Sequence, residues 1–321
     1  MTHPESGHER GSMYMVEGRR PPSASGVNAS GNPQLGSVVA QQLGVRGGLP
    51  PFVSIPGNDL TSRFTGHGWL PATSAPFRGF EAPSLRPSGE VTADRFRDRL
   101  ELRRLIAGGG PPAAGWDRFD QRAVDIITSG RGAEAFDISR ESEETKALYG
   151  VRAQGDDMGK LTLQARRLVE AGVRFVTVGR DSWDHHEKIF PALRSRLPKF
   201  DDAFSGLVID LERRGLLSET LVVYLTEYGR TPKVNDKAGR DHWPAAFSVA
   251  FAGAGIKAGQ VIGASDKQGA AVVDRPVSPE EIAATLLHLA GIHPQTMHVR
   301  ASDGRPMMFV DEAKPVGELL A

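Results

Sequence analysis

Three short stretches concentrate the residues that could do chemistry. "GRDSWDHHEK" carries Asp181, Asp184, His185 and His186, "TEYGR" carries Glu227 and Arg230, and "GRDHWP" carries Arg240, Asp241 and His242. Carboxylates mixed with imidazoles suit Zn²⁺, Mn²⁺ or Fe better than a purely oxygen-lined Ca²⁺ site. Two neighbouring ions could clamp the attacking and leaving oxygens of a phosphoryl or sulfuryl displacement. Arg230 and Arg240 could pair with the anionic group in bidentate fashion. One Asp-His pair on a loop is usually a surface contact. Two pairs and a glutamate become a site only if the fold brings them to one place.

The elements that must position them are legible from periodicity. "MGKLTLQARRLVEAG" reads as a helix that Gly172 stops, and "VRFVTVG" as a buried strand leading into the first cluster. Ile189, Leu193, Leu197, Phe200, Phe204, Leu207 and Leu211 mark a long amphipathic helix, kinked or restarted at Pro198. "TLVVYL" is a second buried strand, leading into "TEYGR", and "SVAFAGAG" a third. "SPEEIAATLLHLAG" has Ser278 as cap, Pro279 at the first helical position, Glu281 closing a capping box and Gly291 ending it. Such alternation predicts an α/β fold with a mostly parallel sheet and helices on both faces. Ligands of such sheets bind beyond the carboxyl ends of the strands, where the first two clusters fall. "GRDHWP" lies on the return path into the third strand.

Upstream the texture differs. Residues 21–90 hold ten of the 22 prolines, so turns and extended loops are expected there, with a short helix at "GSVVAQQLG" and a short strand at "PFVSIPG". Residues 91–149 look helical, with Thr92 able to cap "TADRFRDRLELRRLI", whose basic face reads as solvated. The chain therefore divides into an irregular and helical cover over 21–150 and a regular α/β core over 151–321. Trp183 and Trp243 read as packing residues and His288 as a core or boundary histidine. His67, His293 and His298 carry no local signal.

Composition removes several alternatives. Lys plus Arg equals Asp plus Glu at 39 each, so charge offers no case for nucleic acid or an anionic membrane. Without cysteine there is no disulfide, thiolate metal site or cysteine nucleophile. No run reaches the ~18 apolar residues of a membrane span. The N-terminus lacks a basic region followed by an apolar one, and no apolar stretch follows the paired arginines of "GRRPP", so no export signal is read.

"ARRLVEAGVRFVTV", "WDHH", "TEYGRTPKVN", "AGRDHWPAAFSVAFAGAGIKAGQVIGASD" and "DRPVSPEEIAATLLHLAGI" resemble the bacterial family called domain of unknown function 1501. The resemblance is dense over 155–310, looser over 60–150, and returns at "MTHPESGHERGSMYMVEGRRP", which looks like the family's histidine-bearing helix. That family is sulfatase-like and belongs to the alkaline phosphatase superfamily. The resemblance implies a single domain over 1–321, a three-layer α/β/α sandwich, and a divalent metal centre of one or two ions, Zn or Mn before Ca. "WDHH" resembles the family's W-D-x-H, making Asp184 and His186 ligand candidates, with Asp181 and His185 as the alternative spacing. "EYG" looks like the counterpart of a D-H-G turn with tyrosine in place of histidine, so Glu227 alone of that turn is expected at the metal. "RDHW" makes His242 a ligand and Asp241 a ligand or an orienting partner.

Two departures qualify the resemblance. Counted back from Gly18, His8 falls at the nucleophile position of the sulfatase helix, where Cys or Ser is usual, so a formylglycine mechanism is not expected. His8 stays open between a phosphohistidine nucleophile, a metal ligand and an acid/base. Relatives also carry an export signal and an initial strand with a G-G-P-S-H-x-D-like turn, which this sequence lacks; a truncated, poorly folding or inactive chain is the expectation. Three functions compete: a periplasmic or secreted metal-dependent hydrolase of phosphate or sulfate esters, a non-catalytic relative that binds an anionic glycan or a partner protein, and an inactive fragment. The ligand class in the first two is a small anionic ester or a sulfated or phosphorylated glycan.

Overall fold

The computed structural model describes residues 1–22, 31–57, 65–78, 92–106, 130–151, 157–295, 298–300 and 304–321. In chain order the helices are α1 (His8–Glu17), α2 (Leu35–Leu43), α3 (Ala93–Ile106), α4 (Arg131–Phe136), α5 (Glu143–Leu148), α6 (Met158–Glu170), α7 (Ile189–Arg213) and α8 (Pro279–Leu289). The strands are β1 (Phe52–Ile55), β2 (Phe77–Arg78), β3 (Phe175–Val178), β4 (Leu221–Tyr224), β5 (Gly229–Arg230), β6 (His242–Trp243), β7 (Ala250–Gly253), β8 (Ala264–Ser265), β9 (Val272–Asp274), β10 (His298–Arg300) and β11 (Pro306–Met308). The fold is mixed α/β. Parts of the expected cover, residues 23–30, 58–64, 79–91 and 107–129, lie outside the described residues.

Local signals translate directly. Ser278 accepts from the Glu281 amide and the Glu281 carboxylate accepts from the Ser278 amide, closing the capping box at α8. Thr92 accepts from the Arg95 amide at 3.2 Å at the start of α3. Gly172, at φ 105°, follows the last turn of α6. α7 does not restart at Pro198 but runs through it.

β1 is fully buried because it is the middle strand of a parallel sheet ordered β2-β1-β3. Alternation sends its neighbours to opposite faces. Val176 and Val178 pack with Val53, Ile55, Leu161, Leu168 and Phe136, under α4 and α6. Phe175 packs with Val38, Val39, Ala284 and Leu287 of α2 and α8 on the other face. α7 lies on α6 and reaches β4 through Phe200 and Phe204, whose rings sit 5.2 and 6.4 Å from that of Tyr224.

Parallel pairing is confined to that three-stranded sheet among the described residues. Among the described residues β4 pairs with β7 alone, and antiparallel. The reading of β7 as one more strand of a mostly parallel sheet is corrected: the connection 225–249 holds the short antiparallel β5–β6 ribbon, not a crossover helix, and returns the chain alongside β4 in the opposite direction. His288 is exposed, not in the core, because it falls one step off the buried Ala284–Leu287 stripe. Trp183 and Trp243 do pack: Trp183 lies against Phe200, and Trp243 donates its indole N–H to the Ala270 carbonyl at 2.7 Å. Among the described residues no helix is long and apolar enough to cross a membrane.

Candidate metal centre

Four segments meet beyond the carboxyl ends of β3 and β4. The loop after β3 supplies Asp184 and His186, and the turn after β4 supplies Glu227 and Tyr228. The β5–β6 ribbon sets Arg230 opposite His242. The first turn of α1 supplies His8. The chain before α1 is held along the ribbon's exit by His3 N–H to Pro244 O and by reciprocal bonds between Met1 and Phe247. This brings the Ser6 carbonyl to the His242 ring.

The loop between β5 and β6 is tied onto the loop that follows β3. Arg240 N–H donates to His185 O, Lys188 N–H to Lys237 O, and Ile189 N–H to Ala238 O. The Asn235 amide donates to His186 O at 3.0 Å, while its oxygen accepts from the Gly239 and Lys237 amides. Ser182, Lys188 and Ala238 hold positive φ of 73°, 48° and 56°. Such conformations cost on the order of 1 kcal/mol or more each, and here they cluster around one site.

The side chains then converge. Nε2 of His186 and Nε2 of His242 are 3.1 Å apart, and Asp184 Oδ1 lies 2.9 and 3.1 Å from them. On the other side of the same carboxylate, Asp184 Oδ2 meets His8 Nε2 at 3.0 Å, and His8 Nδ1 meets Glu227 Oε1 at 3.0 Å. Ligand atoms of His8, Asp184 and His242 all fall within 4.8 Å of one another.

Each Nδ1 has an outer partner. His186 Nδ1 faces Asp241 Oδ1 at 2.7 Å, and His242 Nδ1 faces the Ser6 carbonyl at 2.7 Å. With the proton on each Nδ1, where these acceptors would take it, each Nε2 presents its lone pair, the form that can bind a cation. Two lone pairs and a carboxylate oxygen therefore point at one another. Their separations come close to the ~3.3 Å edge of a tetrahedron with metal bonds of about 2.0–2.1 Å. The donor set thus fits a borderline cation, with Asp241 and Ser6 in the orienting role that metal-binding histidines require.

Charge around the cluster follows the same logic. Burial acts to raise the Asp184 pKa, but its contacts with His8, Arg230 and His242 outweigh it and hold the carboxyl far below its usual range. Burial acts to lower the His8 pKa, and the Asp184 and Glu227 carboxylates outweigh it and raise it. Burial, then the Glu227 charge, pushes the Tyr228 phenol well above its ordinary value, so it stays protonated. Its hydroxyl is 2.9 Å from both His8 Nδ1 and His242 Nδ1.

Of the residues singled out in the sequence, Asp184, His186, Glu227, Asp241, His242 and His8 come together. Arg230 joins them through Asp184 Oδ1 at 2.6 Å. Arg240 is placed differently: its Nη1 donates to the Thr231 and Pro232 carbonyls, both at 2.6 Å, bracing the ribbon. Asp181 is exposed, and His185 turns into a separate basic pocket with Arg196 and Lys199. Two residues had no signal in the sequence beyond their neighbours. Tyr228 bridges two imidazoles. Buried His3 accepts from the Glu5 amide at Nδ1 and donates from Nε2 to the Glu227 carbonyl at 2.6 Å, fixing the turn that carries Glu227.

No curated protein and no solved structure matches the chain. The family model described as "Protein of unknown function (DUF1501)" matches residues 1–320, and the chain belongs to that family.

Proposed function

We propose that this protein is a metal-dependent hydrolase of phosphate or sulfate esters, on a three-layer α/β/α sandwich of the sulfatase and alkaline phosphatase type. The observation that carries the reading is the meeting of the His186 and His242 Nε2 lone pairs with Asp184 Oδ1, within 3.1 Å of one another. That arrangement is repulsive unless a cation or extra protons lie within it. Asp184, His186 and His242 would hold a first Zn²⁺ or Mn²⁺, and His8 and Glu227, across the second oxygen of Asp184, would hold another. Bound there, the metal supplies Lewis-acid polarisation of the ester oxygens and lowers the pKa of a bound water.

The remaining groups belong to the chain. Arg230, anchored on Asp184 and the Arg240 carbonyl, keeps a positive charge beside the ester oxygens. Protonated Tyr228 orients His8 and His242. His8 acts as ligand or acid/base in preference to a nucleophile, because both ring nitrogens are engaged by carboxylates. The periplasmic or secreted location rests on the family resemblance alone.

The test is metal analysis of the purified protein together with turnover of aryl phosphate and aryl sulfate esters. Bound Zn or Mn, lost with activity in His242→Ala, is the expected result. No bound transition metal and no change in that variant would sink the proposal. The second reading, a non-catalytic binder of anionic glycans, draws on His8 standing at the nucleophile position; metal retained without turnover of any ester would favour it.

A further inference from the structure

The loop that carries Asp184 also walls a cavity of about 480 Å³, with Arg180, Ser182, His185, Ser195, Arg196 and Lys199 in its lining. Its walls come from two places. Ala192, Ser195, Arg196 and Lys199 are spaced three and four residues apart and so share one face of α7. Ala192 and Ser195 are short and leave room, whereas Arg196 and Lys199 supply charge. Ser182 and His185 come from the loop that follows β3, with Ser182 at its positive-φ turn.

The lining holds three cationic side chains, an imidazole and two hydroxyls, and no carboxylate. The Arg180 charge is met by Asp157 at 2.7 Å. Arg196 is half-buried and makes no ion pair with any described residue. His185 has a buried Nε2 with no hydrogen-bond partner among the described residues. The chain has a net charge of zero, so this concentration of positive groups is local. The volume exceeds that of one phosphate or sulfate group and fits the range in which small ligands bind.

We infer that this pocket binds a second oxyanion group of the substrate, a phosphate or sulfate, with part of the ring that bears it. The inference rests on the ester-hydrolase reading and names its substrate class: a glycan or sugar ester with at least two anionic groups. One group sits at the metal cluster while another lies among Arg196, Lys199 and Ser195. The coupling is covalent, since His185 in the pocket wall is bonded to both Asp184 and His186 in the cluster.

Inorganic phosphate and inorganic sulfate, titrated separately into the full chain while backbone amide resonances are followed, test it. Saturable shifts at Ser182, Arg196 and Lys199 are expected in wild type and in His242→Ala. Arg196→Ala breaks no ion pair with a described residue and alanine keeps the helix, so folding survives. Losing one charge-assisted hydrogen-bond donor should weaken the pocket's binding by about tenfold or more. The same variant should raise KM for a sugar bisphosphate or disulfate about tenfold, with kcat and metal content unchanged and the monoester's KM unmoved. Shifts confined to the metal cluster, or an Arg196→Ala variant that binds as wild type does, overturn the pocket. If the protein holds no metal but the Arg196-dependent shifts appear, the hydrolase reading fails and the pocket stands as an anion site.

Discussion

Gly239→Ala tests the proposed metal centre without touching a candidate ligand. Gly239 is buried against the peptide of His186: a Cβ built on it would lie 2.0 Å from both the carbonyl carbon and oxygen of His186, and 2.4 Å from the Glu187 nitrogen. Ordinary heavy-atom contact begins near 3.5 Å, so the two backbones must part by about 1.5 Å. The His186 side cannot yield cheaply, because its carbonyl is held by Asn235 and the flanking peptides by Arg240, Lys237 and Ala238. Metal ligands tolerate only about 0.2 Å. His186 therefore leaves the ligand set, and affinity for Zn²⁺ or Mn²⁺ falls by about 100-fold or more, on the order of 2.7 kcal/mol. Gly317→Ala, where nothing lies within 4 Å of the added carbon, is the matched control and should behave as wild type. The assay is competition for the metal with a chromophoric chelator, alongside a melting curve. A Gly239→Ala protein with undiminished metal affinity would refute the claim that this close approach positions His186.

Two further outcomes concern the frame around the site. Glu5 is held by Arg10 and then Arg20, with contacts of 2.6, 2.9 and 2.7 Å, and its pKa is lowered from 4.5 to about 2. A depressed carboxylate stabilises the fold above its unfolded pKa, and that stability is lost as pH falls through its folded value. Urea midpoints of wild type should therefore drop between pH 4.5 and 2 by an amount worth roughly 3 kcal/mol, while Glu5→Gln flattens this limb; equal slopes would count against the network. Fully buried Arg166 joins Glu141 at 2.8 Å, Glu170 at 2.5 Å and Asp210 at 2.9 Å, fastening residue 141 and α7 onto α6. Arg166→Leu leaves those carboxylates short of a partner and should cost about 3 kcal/mol, the low end for a broken buried pair because Arg167 and Arg214 still reach Glu141 and Arg214 reaches Asp210. Thermal denaturation at neutral pH checks it, and a loss below about 1 kcal/mol would show the cluster to be dispensable.

Much of the local structure was legible beforehand because its causes are local. Ser278 and Glu281 lie three residues apart, and nothing distant is needed for each to satisfy the other's orphan amide. The apolar runs at 175–178 and 221–224 are strands for the same reason, and the polar residues following them had to emerge at strand ends. Pairing is another matter. A run such as "SVAF" has the same side-chain pattern whether its neighbour runs with it or against it, so the antiparallel match of Val222 with Ala252 could not be read from either strand.

The site divides along the same line. From sequence alone came the family, the mixed α/β class, and the residue types able to hold a borderline metal: Asp184, His186, Glu227, Asp241, His242 and His8. Tertiary structure decided what each ring nitrogen faces, setting Asp241 against Nδ1 of His186 and the Ser6 carbonyl against Nδ1 of His242. It also turned His185 away into a basic pocket, gave Arg240 to backbone carbonyls, and put Tyr228 and His3 at the centre. The physical reason is range. Residue type and spacing encode what a side chain can bond, but the direction of a lone pair depends on an acceptor that, for His242, lies 236 residues away in the chain.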